Sequence, residues 1–154
     1  MGRDKAMVEV DGVAMAERVS GAVRDAGARQ VVRIGGATGD VPDAFPGQGP
    51  LGGIITALRV ARDEVVVTAP CDMPWLEAAH VRAVADALGD NDAAYAEGQH
   101  LLAAWAPRAL ASLEAAFAEG ERSPRRAITR LSAVAVALGE GDWSKDVDSP
   151  ADLP

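Results

Sequence analysis

The 154 residues include one cysteine, Cys71, so no disulfide can close within the chain and no multi-cysteine zinc site can form. A reducing compartment, by default the cytoplasm, is the expected location. No apolar run approaches the roughly 18 residues of a membrane span, and the opening Met1-Gly2-Arg3-Asp4-Lys5 lacks the apolar stretch of a signal peptide. Basic charge is also scarce. With 15 Lys and Arg against 23 Asp and Glu, the formal charge is -8, which gives no field favouring a nucleic-acid backbone or an anionic membrane. A small polyanionic substrate therefore needs a local basic pocket or a metal ion. Neither His80 nor His100 has a second histidine or cysteine at zinc-ligand spacing.

What is present suits a single globular domain over residues 1–154, being 49% hydrophobic and long enough to bury a core. Residues 8–10 read as a short strand, and Asp11-Gly12 as a turn into a helix that puts Met15, Val19, Ala22 and Val23 on one face and is closed by Gly27. Residues 30–34 form an apolar, β-branched run bounded by Gly35-Gly36, as expected of a buried parallel strand. Loop chemistry fills residues 35–53, and helical periodicity returns at 54–60. Further strands are expected at 64–68, 93–96, 101–105 and 133–138, and helices at 76–88, from Ala106-Pro107 to about 119, and from Ser123-Pro124 to about 131. This alternation indicates an α/β domain with a mostly parallel sheet and ligands at the carboxyl ends of its strands.

Several motifs could carry chemistry there. Pro70-Cys71-Asp72-Met73-Pro74 follows a buried strand, so Asp72 either presents a rigid carboxylate to a divalent cation or caps the next helix. Gly49-Pro50-Leu51-Gly52-Gly53 opens a helix and lets backbone N–H groups approach a phosphate or a base, or else is a tight turn. Upstream, Asp43 is a turn former or an acceptor for a base's N–H groups. Arg3 and Lys5 flank the opening glycine-containing segment, where Lys5 could neutralise phosphate oxygens. In Asp146-Val147-Asp148 an extended backbone points both carboxylates to one side, as a shared Mg2+ site requires, although Asp148 could equally cap a helix. Arg122, Arg125 and Arg126 cluster at a helix start, suiting either a bulky anion or plain solvation.

These segments occur in the order seen in molybdenum cofactor guanylyltransferases, which the chain resembles over nearly its whole length. The motifs that carry the likeness are Met1-Gly2-Arg3-Asp4-Lys5, Gly49-Pro50-Leu51-Gly52-Gly53-Ile54, Pro70-Cys71-Asp72-Met73-Pro74 and Asp148-Ser149-Pro150-Ala151-Asp152-Leu153. The resemblance implies a Rossmann-like three-layer α/β/α nucleotidyltransferase domain with a mostly parallel sheet. It also implies transfer of GMP from GTP to molybdopterin, Mg2+ as cofactor, and protein partners in delivery of the finished cofactor. In its terms Lys5 and Asp72 are catalytic. Gly2, Arg3, Lys5, Asp43, Gly49, Pro50, Leu51, Gly52 and Asp72 contact the nucleotide, Asp72 and Asp148 the metal, and Arg122 and Asp146 the acceptor. A related nucleotidyltransferase such as a cytidylyltransferase, or a non-catalytic nucleotide-binding or interaction protein, is the alternative.

Two departures from the family pattern bear on these expectations. The family's Asn-x-Asn-Thr-Pro is replaced by Asp146-Val147-Asp148-Ser149-Pro150, which keeps oxygen acceptors, loses amide donors and adds negative charge. Of the signature loop Leu-Ala-Gly-Gly-x-Ser-x-Arg-Met-Gly-x-Asp-Lys only the last five positions are present, and the strand before it, central in the family's sheet, is absent. Its absence is expected to leave two strand edges unpaired. A misplaced start codon is the expected cause, in which case the DNA upstream encodes that strand and loop in frame.

Overall fold

Asp11 and Gly12 both adopt positive φ, 51° and 78°, and so form the two-residue turn that matches the twist of a hairpin. The turn joins β1 (Glu9–Val10) to β2 (Val13–Ala14), with Val10 opposite Val13. The structure, a computed structural model, describes residues 7–147 and Asp152. Helix α1 (Met15–Asp25) follows directly and buries Met15, Val19, Ala22 and Val23, as its periodicity requires. Gly27, at φ 105°, closes it by donating its N–H to the Arg24 carbonyl.

The main sheet has four strands in the order β3-β5-β4-β6. They are β3 (Val66–Thr68), β4 (Ala93–Ala96), β5 (Gln99–Trp105) and β6 (Ala133–Val136). β5 is antiparallel to both neighbours while β4 and β6 are parallel, so β3, β4 and β6 share one direction and their carboxyl ends lie at one edge. Helices α1 and α3 (Ala78–Asp86) cover one face. On the other lie α2 (Pro50–Ala61), α4 (Ala109–Ala118) and α5 (Pro124–Ile128), which completes a three-layer α/β/α domain. Strand alternation divides the core between the layers. Ala94, Leu102 and Ala104 enter the α1/α3 cluster, whereas Ala93, Ala103 and Trp105 enter the α2/α4/α5 cluster. The Trp105 indole, fully buried, donates to Thr68 Oγ1 at 2.9 Å and ties β5 to β3. Among the described residues no helix is long and apolar enough to cross a membrane.

The run at residues 30–34, expected as a strand, is not one. Val31 and Val32 make no backbone hydrogen bond to a described residue, and the only pairing nearby among the described residues is an isolated bridge between Ile34 and Val41. The cause is the lack of a neighbour, since a strand persists only where a second backbone satisfies its N–H and C=O groups. Between this run and β3, whose only strand partner among the described residues is β5, lies a cavity of about 820 Å³, walled by α1 (Val19, Val23) and α2 (Ile54, Ala57).

Candidate active site

Asp72 sits in the turn that follows β3, partly buried, between the exposed Cys71 and the fully buried Met73. Met73 anchors the turn in the core, and the Val147 N–H donates to the Asp72 carbonyl at 3.0 Å. From the α1 side, Arg18 donates Nε to the Val10 carbonyl at 3.1 Å, Nη1 to the Pro74 carbonyl at 3.5 Å and Nη2 to Asp11 Oδ2 at 2.8 Å. The main chain bearing Asp72 is thus held from three directions at the carboxyl edge of the sheet. The capping role that sequence allowed for Asp72 falls to Glu77, which forms a reciprocal capping box with His80 at the start of α3.

The second element is the loop of residues 43–53. Gly49 has φ 88° and ψ 172°, a backbone region essentially restricted to glycine, and Pro50 starts α2 as its first residue. No side chain among the described residues caps that helix start; Pro50 has no N–H, and the Gly52 N–H donates to the Gly49 carbonyl at 3.2 Å. Asp43 is already engaged, with Oδ1 accepting from the Phe45 N–H at 2.9 Å and from Thr56 Oγ1 at 3.2 Å. The Leu51 side chain is fully buried in the core, so its main chain alone faces the loop's surroundings. Gly52 owes its identity to packing, because a Cβ there would lie 2.8 Å from that of Phe45.

The large cavity beside β3 is lined by Gly35 and Gly36, by Pro50 and Gly53, and by Pro70 and Cys71; Asp43, Gly49, Leu51, Gly52 and Asp72 are not among its lining residues. Residues 146 and 147 are drawn to the Asp72 turn by the Val147 hydrogen bond, and Asp146 is exposed. Gly2, Arg3, Lys5 and Asp148 lie outside the described residues. Arg122 is part of a different contact, against Gln48. Sequence reasoning passed over Gly35, Thr56, Phe45, Gln48 and Phe117. Thr56, four residues after Gly52 and bonded to its carbonyl at 2.8 Å, was findable from helical spacing. The Phe45–Phe117 ring contact, 4.5 Å between centroids, had no local signal. A register shift at Tyr95/Ala96 likewise turns His100 onto the Tyr95 ring, 4.6 Å away, and burial and then Arg125 hold its pKa below the usual histidine value.

Among the described residues no three His, Cys, Asp or Glu side chains converge, and Asp72 carries a carboxylate on a main chain held by the Val147 N–H. Mg2+ commonly takes one or two carboxylates together with substrate phosphates.

Residues 1–135 match the model of the MobA-like NTP transferase domain. The chain is 36% identical to the molybdenum cofactor guanylyltransferase of Pseudomonas syringae pv. syringae (strain B728a) over 161 aligned positions, covering 92% of this chain and 78% of that protein. Its fold is similar to that of molybdopterin-guanine dinucleotide biosynthesis protein A from Archaeoglobus fulgidus, with a TM-score of 0.77, 24% identity, and coverage of 99% of this chain and 88% of the other. It is similarly close to 2-C-methyl-D-erythritol 4-phosphate cytidylyltransferase from Thermus thermophilus, with a TM-score of 0.78, 16% identity, and coverage of 97% and 90%. At those identities the two solved structures bear on the fold alone. The match over most of the chain, with a curated relative above 30% identity, shows that this chain belongs to the MobA-like NTP transferase domain family.

Proposed function

We propose that the chain transfers GMP from GTP to molybdopterin and releases pyrophosphate. The observation that supports this reading is that Pro70 and Cys71, which lead into Asp72, and Pro50 and Gly53, from the start of α2, line one cavity beside β3. Family membership and the relatives' printed activity supply the choice of substrates. An oxygen of the molybdopterin phosphate attacks the α-phosphorus of GTP in line. The bond to the β-phosphate breaks, and pyrophosphate leaves with the electron pair.

Asp72, with Asp148, would hold Mg2+. When bound, that ion neutralises charge on the triphosphate oxygens. Lys5 steadies the triphosphate as a point charge beside Gly2 and Arg3. Asp43 and residues 49–52 receive the guanine through main-chain groups and the carboxylate oxygen not used by Thr56 and Phe45. Asp146 stands on the acceptor side. The chain's own contribution is positioning and a preorganised field, with no covalent protein intermediate. A cytoplasmic setting, with protein partners receiving the product, belongs to the same proposal.

The test is Mg2+-dependent release of pyrophosphate from GTP in the presence of molybdopterin. Turnover with GTP, and not with CTP, is expected. Retained activity in Asp72→Ala would refute the role given to that carboxylate.

A further inference from the structure

We infer that Arg122 is a positioning residue for the guanine loop rather than a contact to the acceptor. Three of its five side-chain N–H donors are used within the protein. Nη1 donates to the Phe117 carbonyl at 2.7 Å and to the Glu121 carbonyl at 2.8 Å, and Nη2 donates to Gln48 Oε1 at 3.1 Å. The guanidinium plane lies over the Phe117 ring, 3.8 Å from its centroid, a stacked cation–π contact that a lysine does not reproduce. The main chain joins in, since the Arg122 carbonyl oxygen stands 3.5 Å from where a Cβ of Gly49 would be. Gln48 and Gly49 are the residues that lead into α2, so Arg122 grips the loop at the point where it turns into its helix.

Arg122 is itself held. The Glu121 carboxylate accepts from the Arg122 and Ser123 N–H groups, each at 2.8 Å, and from Arg126 Nε at 2.8 Å. At the loop's other end the Thr56 hydroxyl donates to the Gly52 carbonyl at 2.8 Å and accepts from the Ala44 N–H at 3.1 Å, the Phe45 N–H donates to Asp43 Oδ1, and Phe45 packs on Phe117. Phe117 is thus the common floor for both ends. A loop clamped at Asp43 and at Gln48 presents its N–H groups in one arrangement without ordering cost on binding, which is how rigid backing improves ligand affinity. With both Nη1 hydrogens and one on Nη2 committed to the clamp, the Nη1/Nη2 fork of Arg122 is engaged within the protein.

The inference rests on reading residues 43–53 as the guanine site. It is tested by steady-state kinetics of Arg122→Lys, Arg122→Ala and Gln48→Ala, with GTP and molybdopterin varied separately, and by GTP-against-CTP selectivity. The expected result is a rise of about tenfold in the KM for GTP and a loss of GTP selectivity, with the acceptor KM changed less than about twofold. Lysine should fail to rescue, and the Gln48→Ala/Arg122→Ala double variant should be no worse than Arg122→Ala. An acceptor KM that rises as much as that for GTP, or unchanged base selectivity, overturns the assignment. Hydrogen exchange of amides 45–52 without nucleotide provides a separate readout. Faster exchange in Gln48→Ala supports the clamp, and unchanged exchange overturns it even if Arg122→Ala does not fold. Wild-type protein that ignores GTP while these amides still loosen would count against the guanine reading and not against the clamp.

Discussion

The backbone N–H of Val147 donates to the carbonyl of Asp72 at 3.0 Å, so the C-terminal segment is fastened to the turn that follows β3, 75 positions earlier in sequence. That bond holds the main chain at Asp72. Removing its charge without disturbing its size should therefore leave the turn in place. Asp72→Asn is expected to keep its melting temperature within about 2 °C of the parent, a shift below 1 kcal/mol for a chain of this size, while turnover falls about 100-fold or more, the loss typical of one preorganised electrostatic group. Calorimetry and pyrophosphate release together check this.

Gly49 and Gly52 should fail for different reasons when changed to alanine. Gly49→Ala places a side chain on backbone at φ 88° and ψ 172°, at a cost of about 1–3 kcal/mol. In Gly52→Ala the new Cβ meets that of Phe45 at 2.8 Å, and neither Cβ can swing away by a rotamer change. Overpacking of that kind also costs about 1–3 kcal/mol, but truncating Phe45 should relieve it only at position 52. Urea denaturation of the single variants and of each combined with Phe45→Gly, which removes the Cβ that position 52 meets, measures the difference.

Thr68→Val should destabilise the sheet although it adds apolar surface. Thr68 Oγ1 accepts the Trp105 indole N–H at 2.9 Å and donates to the Leu101 carbonyl at 2.9 Å. Valine leaves a fully buried N–H without its acceptor, at a cost of about 1–3 kcal/mol. Chemical denaturation with tryptophan fluorescence reads both the stability and the environment of Trp105.

Much of this was legible in the sequence because local chemistry decided it. The Asp11-Gly12 turn, Gly27 after α1 and Ser123 capping α5 each follow from what one residue type does to its own backbone, whereas the second strand of the hairpin, Val13–Ala14, was not expected and α2 begins at Pro50, four residues before the expected start at Ile54. Ser123 accepts from the Arg126 N–H at 3.4 Å, as the Ser-Pro start implied. The run at 30–34 was misread because β-branched composition reports what a strand would like and cannot supply the neighbour it needs. The opposed direction of β5 was equally invisible, since an apolar run has no polarity along the chain. In the site, Asp72 and the glycine loop stood out by their position at element ends. The Arg122–Gln48 clamp did not, because it joins residues 74 positions apart through a ring that neither neighbours.

The Glu121 hub carries a pH dependence whose sign is fixed by its contacts. Hydrogen bonds from the Arg126 side chain, then from the Ser123 and Arg122 backbone, hold its pKa at about 2 against an ordinary 4.5. A carboxyl group whose folded pKa is depressed contributes stability that is complete above its unfolded value and is lost as pH falls toward the folded one. The difference in melting temperature between the parent and Glu121→Gln should be widest above pH 4.5 and should close as the pH is lowered toward about 2. Differential scanning calorimetry across that window provides the check, and a gap that widens on acidification would contradict the assignment.

The shared triphosphate site is tested most directly by calorimetric titration of GTP into the protein with and without Mg2+, in the parent and in Asp72→Asn. Saturable binding is expected for the parent, strengthened by Mg2+ and selective for GTP over CTP, and the Mg2+ enhancement should vanish in Asp72→Asn. Binding that is indifferent to Mg2+ in the parent, or an enhancement that survives in Asp72→Asn, would contradict a carboxylate at position 72 gripping the nucleotide through the metal.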